Sequence, residues 1–318
     1  VLEEAPKVAA SSSSTLRTQE SLQRYFEEVL PKGRLTVWHQ DLREPLEKIA
    51  LAAGLPPSGF QCLIYRESGF QAGALSQKGA LTLAQLMPES LKLVKTRLQG
   101  GRTFGGDRLK IYHFIEDLRG LASLREMPLA LKRKLHLGVD LYRWIKHQDP
   151  EEFQPSHFQN LRDWLRESVA EATRQNLPLS TGLQIRIPHH LRALAEAYKF
   201  AEAPRILEKM EGLLQKKLRI GTRPGPIEAL AAAAIYLTLE LEWELAERTP
   251  NWRERSEQER FLLLSLAYNM GLGKFQRVCG TDDLSLKRCR SRLKRGQGPR
   301  ESLHHLVAIE KCALEHSN

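Results

Sequence analysis

Residues 54–69 read GLPPSGFQCLIYRESG, and the fold turns on how this stretch is parsed. Gly54 and Pro56 close a preceding helix, because glycine tolerates the left-handed cap and proline cannot continue a helix. Ser58 is placed to cap the next helix. Within that helix Phe60, Leu63, Ile64 and Glu67 fall at i, i+3, i+4 and i+7, so the carboxyl of Glu67 shares a face with three apolar side chains. Desolvation and the negative helix C-terminus both disfavour its charged form. A carboxylic acid still protonated near neutral pH is what a general acid requires. The alternative, on helix geometry alone, is a glutamate that ends its helix and bends out to solvent.

Upstream, Glu44 to Ala53 reads as a helix with Pro45 in its first turn and a stripe of Leu46, Ile49, Ala50 and Ala53. Downstream, Gly69, Gly73 and Gly79 mark a loop. A further helix is expected over roughly Ala80 to Leu98, with Leu83, Met87, Leu91, Val94 and Leu98 along one side. Pro88 suits a first turn if the regular helix starts there. A second glycine-rich stretch, Gly100 to Gly106, interrupts the pattern.

From about 107 to 224 the pattern is mostly helical. Phe158, Leu161, Leu165 and Val169 form one stripe, and Ile206, Met210, Leu213 and Leu214 another. Leu183, Ile185 and Ile187 alternate with Gln184 and Arg186, which points to one short strand. Next come an alanine-rich helix, Ile227 to Ala246, and a helix from Arg260 to Tyr268 that is apolar nearly all round and hence buried. Gly271 and Gly273 stop the latter and leave Tyr268 and Asn269 at its tip. A last helix, Glu301 to Glu315, carries Leu303, Leu306, Val307 and Leu314.

The chain has 318 residues, 42% hydrophobic and 27% charged, with a formal net charge of +10 and a pI near 9.5. It can bury a substantial core, and its balance favours helix over sheet. The basic surface suits a polyanionic partner without choosing among nucleic acid, anionic lipid and wall carboxylates. No apolar run of about 18 residues occurs, so no transmembrane helix is expected. Residues 1–18, polar and serine-rich, read as a linker. Cys62, Cys279, Cys289 and Cys312 match no zinc spacing. Cys279 and Cys289 can pair in an exported protein, whereas Cys62 lies on an apolar face and reads as core. Adjacent histidines, His189-His190 and His304-His305, point to different helix faces and make a poor metal pair, so neither metal nor other cofactor is expected.

The blocks Glu67-Ser68-Gly69-Phe70, Ala74-Leu75-Ser76 and Gly79-Ala80-Leu81-Thr82-Leu83-Ala84-Gln85-Leu86-Met87-Pro88 resemble the soluble lytic transglycosylases and the related goose-type lysozymes. Gly54-Leu55-Pro56-Pro57 and the late Ala267-Tyr268-Asn269-Met270-Gly271 fit the same pattern, and Ile227 to Leu237, ending Ile235-Tyr236-Leu237, fits its intermediate helix. Another alignment would put that helix at Leu137-Gly138-Val139-Asp140-Leu141-Tyr142. The resemblance spans residues 40–100 and 225–280.

It implies a mainly α, lysozyme-like helical catalytic domain with a large, mostly helical insertion: linker 1–18, first catalytic part 19–106, insertion 107–224, second catalytic part 225–318 with a basic C-terminal tail. It implies Glu67 as the sole catalytic carboxylate, Ser76 near the glycan acetamido group, Gln85 and Met87 lining the cleft, Tyr268 supporting Glu67, and Asn269 shaping the site. The expected activity is cleavage of the MurNAc-GlcNAc β-1,4 bond of peptidoglycan with a 1,6-anhydro product, by a monomer that is periplasmic or secreted after signal-peptide removal. The chain departs from the family at Thr82, where the family has Gly, and at Ala84, where it often has Met. Three other readings stand beside this one. The first is a lysozyme-type hydrolase using water, on native or de-N-acetylated glycan. The second is a non-catalytic wall-binding protein. The third is a nucleic-acid-binding protein using the basic tail Lys287, Arg288, Arg290, Arg292, Lys294 and Arg295, although no nucleic-acid partner is expected because no motif accompanies that charge.

Overall fold

The computed structural model describes residues 12–76, 79–80, 82–99, 116–122, 126, 155–177, 179–249, 251–280 and 284–314. The described residues are helical, with no strand among them. They form two compact units, one of Val1–Lys92 with Ile206–Asn318 and one of Leu93–Arg205.

The first unit holds α1 (Ser12–Val29), α2 (Lys32–Val37), a π-helical turn at Trp38–Leu42, α3 (Arg43–Ala53) and α4 (Pro57–Ser68). The helix α1 begins at Ser12, inside the stretch expected to be linker. In α3 the expected stripe Leu46, Ile49, Ala50 and Ala53 is buried. Its end is a Schellman cap: Gly54 sits at φ +70, and the Leu55 N–H reaches the Ala50 carbonyl at 2.9 Å. The helix α4 starts two residues earlier than a Ser58 cap implies. Pro57 takes its first turn after Pro56, and no side chain caps it, so the capping role expected of Ser58 is not used. Proline at N1 needs no partner for the N–H it lacks. Gly59 and the run Phe60 to Ile64 are buried, so α4 is the central helix. Gly59 lies against the Phe261 ring so closely that a Cβ there would sit 2.7 Å from it.

The helix expected from Ala80 begins instead at Pro88, giving α5 (Pro88–Leu98). Thr82 and Gln85 adopt φ +72 and +51, which is incompatible with a continuous right-handed helix. Leu83, Leu91 and Val94 are buried as expected, whereas Met87 is exposed.

In the second unit, Leu118, Leu121, Phe158, Leu161, Trp164, Leu165, Leu194 and Ala197 form one core cluster, joining the helical stretch 116–122 to α6 (Pro155–Arg174) and α7 (Thr181–Leu214). The expected strand around Leu183 to Ile187 is part of α7. Leu183 and Ile187 lie one turn apart and face inward, while Ile185 is 63% exposed. Five alternating residues fit either period, and the following Leu191 and Leu194 continue the helical one.

The first unit resumes with α8 (Pro226–Ile235), a π-helical turn at Tyr236–Glu242, α9 (Trp243–Arg248) and a 3-10 turn at Trp252–Glu254. It ends with α10 (Glu257–Met270), α11 (Leu272–Cys279), α12 (Leu286–Lys294) and α13 (Arg300–Leu314). Ser256 caps α10 by accepting from Glu259 N–H. The helix α4 packs on α3 and on α13, and α13 packs on α10. A disulfide between Cys62 and Cys312 ties α4 to α13. Cys62 is therefore both buried, as expected, and bonded, which was not. The second pair, Cys279 and Cys289, joins α11 to α12.

Candidate active site

Glu67 occupies the last turn of α4, with Gly69 at φ +57 as its C-cap. The loop that follows is anchored by aromatic packing. Phe70, itself at φ +59, lies 5.3 Å from the Phe26 ring and 5.6 Å from the Tyr65 ring, and stacks 6.2 Å from Trp38. The Arg34 guanidinium donates to the Gly69 carbonyl at 3.0 Å. These contacts from α1 and α2 fix the direction in which α4 ends, and so the position of Glu67.

The Glu67 side chain is 13% exposed, and its Oε1 is buried without a hydrogen-bond partner. Burial pushes its pKa from 4.5 up to about 7, against a smaller lowering by the Arg66 charge. A carboxyl so placed is protonated through the slightly acidic range and still gives up its proton near neutrality. The alternative of a solvent-facing glutamate at a helix end is not what the fold adopts.

Tyr268, near the end of α10, donates its hydroxyl to the Ala84 carbonyl at 2.6 Å. Its phenol is held well above its ordinary pKa, first by burial and then by the neighbouring Glu67 and Tyr236. The Tyr236 ring meets it edge-on at 6.1 Å. The structure thus brings Glu67, Tyr268 and the 82–86 loop together. Gln85 spends its amide N–H groups on the Ala74 and Thr82 carbonyls, at 3.0 and 2.9 Å. It fastens the loop after Glu67 to the turn before α5. Ser76 accepts from the Ala80 N–H at 2.9 Å and is only part-buried. Met87 is 38% exposed at the start of α5. Asn269 is exposed on the opposite side of its helix tip from the buried Ala267, and its Oδ1 accepts from Ser302 of α13 at 2.9 Å.

Thr82 shows the cost of one departure noted in the sequence. A β-branched residue at φ +72 is strained, and its hydroxyl is buried without a partner. Glycine has neither problem, so Thr82 is held here at a cost that the resemblance's expected Gly avoids.

One residue beside Glu67 was missed in the sequence. His305 of α13 is buried, with Nδ1 3.7 Å from Glu67 Oε1. The last helix was expected to turn Leu303, Leu306, Val307 and Leu314 inward. Instead Ser302, His305, Leu306, Ile309 and Cys312 are buried and Val307 is 48% exposed. The Cys62 bond to Cys312 and the Ser302 bond to Asn269 set that phase, and neither is visible in a hydrophobic pattern. His190 has a different role within the second unit, where its Nε2 lies 2.8 Å from Asp117, which also pairs with Arg186.

Residues 44–109 match the family model of the transglycosylase SLT domain. Over those residues the chain is similar to the transglycosylase SLT domain. Members of that family are lytic transglycosylases, glycosidic enzymes acting on peptidoglycan. The matched segment contains Glu67, Ser76, Gln85 and Met87, while Tyr268, Asn269 and His305 lie beyond it. Comparison with curated proteins and with solved structures yields no match. Among the described residues, no helix is long and apolar enough to cross a membrane.

Proposed function

We propose that Glu67 is the single acid/base of an enzyme that cuts the MurNAc-GlcNAc β-1,4 bond and leaves a 1,6-anhydro sugar. The observation that carries this reading is the buried carboxyl with its raised pKa, set against Tyr268 and the loop that contains Gln85. In the first half-reaction the Glu67 proton passes to the glycosidic oxygen, and the leaving sugar departs with the bonding electron pair. The substrate's own acetamido group stabilises the positive anomeric carbon. In the second half-reaction the Glu67 carboxylate takes the proton of the muramic C6 hydroxyl as that oxygen bonds to the anomeric carbon. The acid is thereby restored, and no water is consumed. One group with a pKa near 7 serves both half-reactions because it gives one proton to the glycosidic oxygen and takes another from the C6 hydroxyl.

Ser76, part-buried beside the loop, meets the acetamido group in this reading, and exposed Met87 lines the cleft. Tyr268, Gln85 and Asn269 act by holding the backbone around Glu67, since each already spends a polar group on a neighbour. Residues 19–106 and 225–318 are the two parts of the catalytic domain and 107–224 the insertion. The separation of a unit Leu93–Arg205 from the rest supports that organisation. Two disulfides favour an oxidising compartment, hence export to the periplasm or beyond.

Zymography on peptidoglycan-containing gels tests the assignment of Glu67. The wild type is expected to clear the gel and Glu67→Gln to leave it opaque. Equal clearing by both removes Glu67 from the mechanism.

A further inference from the structure

His305 is a costly residue where it stands. Its side chain is 4% exposed and its Nε2 is buried without a partner. An apolar side chain of similar volume would avoid that desolvation. Two links fix the helix that carries it. Cys62 precedes Glu67 on α4 and Cys312 follows His305 on α13, so the helices run antiparallel and the disulfide closes one end of the interface that Glu67 and His305 occupy. At the other end Ser302 is tied to Asn269. The neutral imidazole has one N–H, and with Nε2 unpartnered it is Nδ1 that donates to the backbone of Ser265 on α10. The ring is thus held from three helices, facing an acid oxygen that has no other partner.

At 3.7 Å the contact is too long for a hydrogen bond, and it must shorten by roughly 0.8 Å to become one. While Glu67 is protonated the N–H stays on the Ser265 backbone. A bare carboxylate draws it away, because a charge in a dry site binds an N–H donor far more strongly than a neutral acid does. We propose that His305 is a positioning residue for Glu67, whose Nδ1–H turns from the Ser265 backbone onto the carboxylate after the acid has given up its proton and returns to Ser265 when the acid is restored. This rests on the assignment of Glu67 as the acid/base. His305 keeps its own proton throughout, so the proton balance of the two half-reactions is unchanged.

Burial, then the Arg66 charge, pushes the His305 pKa down to about 4, so the ring is neutral across the range in which Glu67 titrates. The charged or titratable groups acting on the pair are Arg66 of α4 and Tyr268 of α10. On α12, Arg290 is paired with Glu310 of α13. Among the described residues of α1, none contributes to either shift.

Carboxyl-labelled NMR of the whole protein gives the Glu67 pKa without any substrate. His305→Phe and His305→Met, which remove the N–H, are expected to raise it by about one further unit, the tenfold loss of one charge-assisted hydrogen bond. His305→Gln, which keeps an N–H, is expected to stay near the wild type. In turnover the alkaline limb of kcat is expected to move up with the NMR value in the folded variants, while KM changes little. An unchanged Glu67 pKa in both His305→Phe and His305→Met, with each variant melting as a folded protein, overturns the proposal. The two assignments fail separately: full activity of Glu67→Gln discards the catalytic reading, whereas the NMR titration alone decides the role of His305.

Discussion

If Glu67 is held in a dry site, it must weaken the folded protein at alkaline pH, and the size of that cost follows from the structure. Its carboxyl moves from 4.5 to about 7 on folding. At about 1.4 kcal/mol per pKa unit, ionising it in the folded state costs about 3 kcal/mol more than in the unfolded chain. The sign follows from the direction of the shift. A raised folded pKa favours the protonated folded protein. That advantage is fully present below about 4.5 and is lost as pH rises through about 7. Glu67→Gln keeps the shape of the side chain and cannot ionise. Relative to the wild type, the variant should gain about 3 kcal/mol between pH 4.5 and pH 8.5. Because only 13% of the side chain is exposed, solvent screening removes little of this. Urea denaturation followed by tryptophan fluorescence, run on both proteins at both pH values, gives the difference of differences. The titration of His305, which lies in both proteins, cancels to first order in that comparison. A gap between the two proteins that is the same at pH 4.5 and pH 8.5 would refute the buried acid, whatever the enzyme's activity.

Two other outcomes follow from single features. Thr82→Gly removes a strained φ and an unpartnered hydroxyl at the cost of chain entropy. It should raise the melting temperature by about 2–4 °C, a net gain near 1 kcal/mol, and scanning calorimetry showing a lower melting temperature would contradict the strain. Replacing Cys62 and Cys312 together by alanine opens a link between residues separated by 250 positions. The expected loss is about 2–5 kcal/mol, read as a shifted urea midpoint, and an unshifted midpoint would mean the α4–α13 interface holds without the bond.

Much of the catalytic framework was legible in the sequence because it is local. The α3 stripe, the Gly54 cap, the stop at Gly271 and the placement of Glu67 on the inner face of α4 each follow from spacing within two or three turns. A first turn at Pro88 was also open in the sequence, although the expected helix from Ala80 was wrong because left-handed residues at Thr82 and Gln85 leave no periodic trace. The same limit applied to Leu183–Ile187, where five residues could not separate two periods. What stayed hidden is long-range. The packing of Phe70 on Phe26 and Trp38 and the bond between Cys62 and Cys312 join segments that no pattern relates. Adjacent His304 and His305 face different sides of α13, and only the disulfide and Ser302, invisible to the pattern, show that His305 is the buried one. Polar residues on a helix face look like solvent contacts until a partner such as Glu67 is known to lie opposite.

The products of one digestion test the single-acid mechanism most directly. Purified sacculi treated with the wild type should release muropeptides ending in 1,6-anhydro sugars, each one water lighter by mass spectrometry than its reducing counterpart, and Glu67→Gln should release none. Hydrated, reducing ends as the main product would assign the second half-reaction to water, and release by Glu67→Gln at the wild-type rate would contradict the account at its centre.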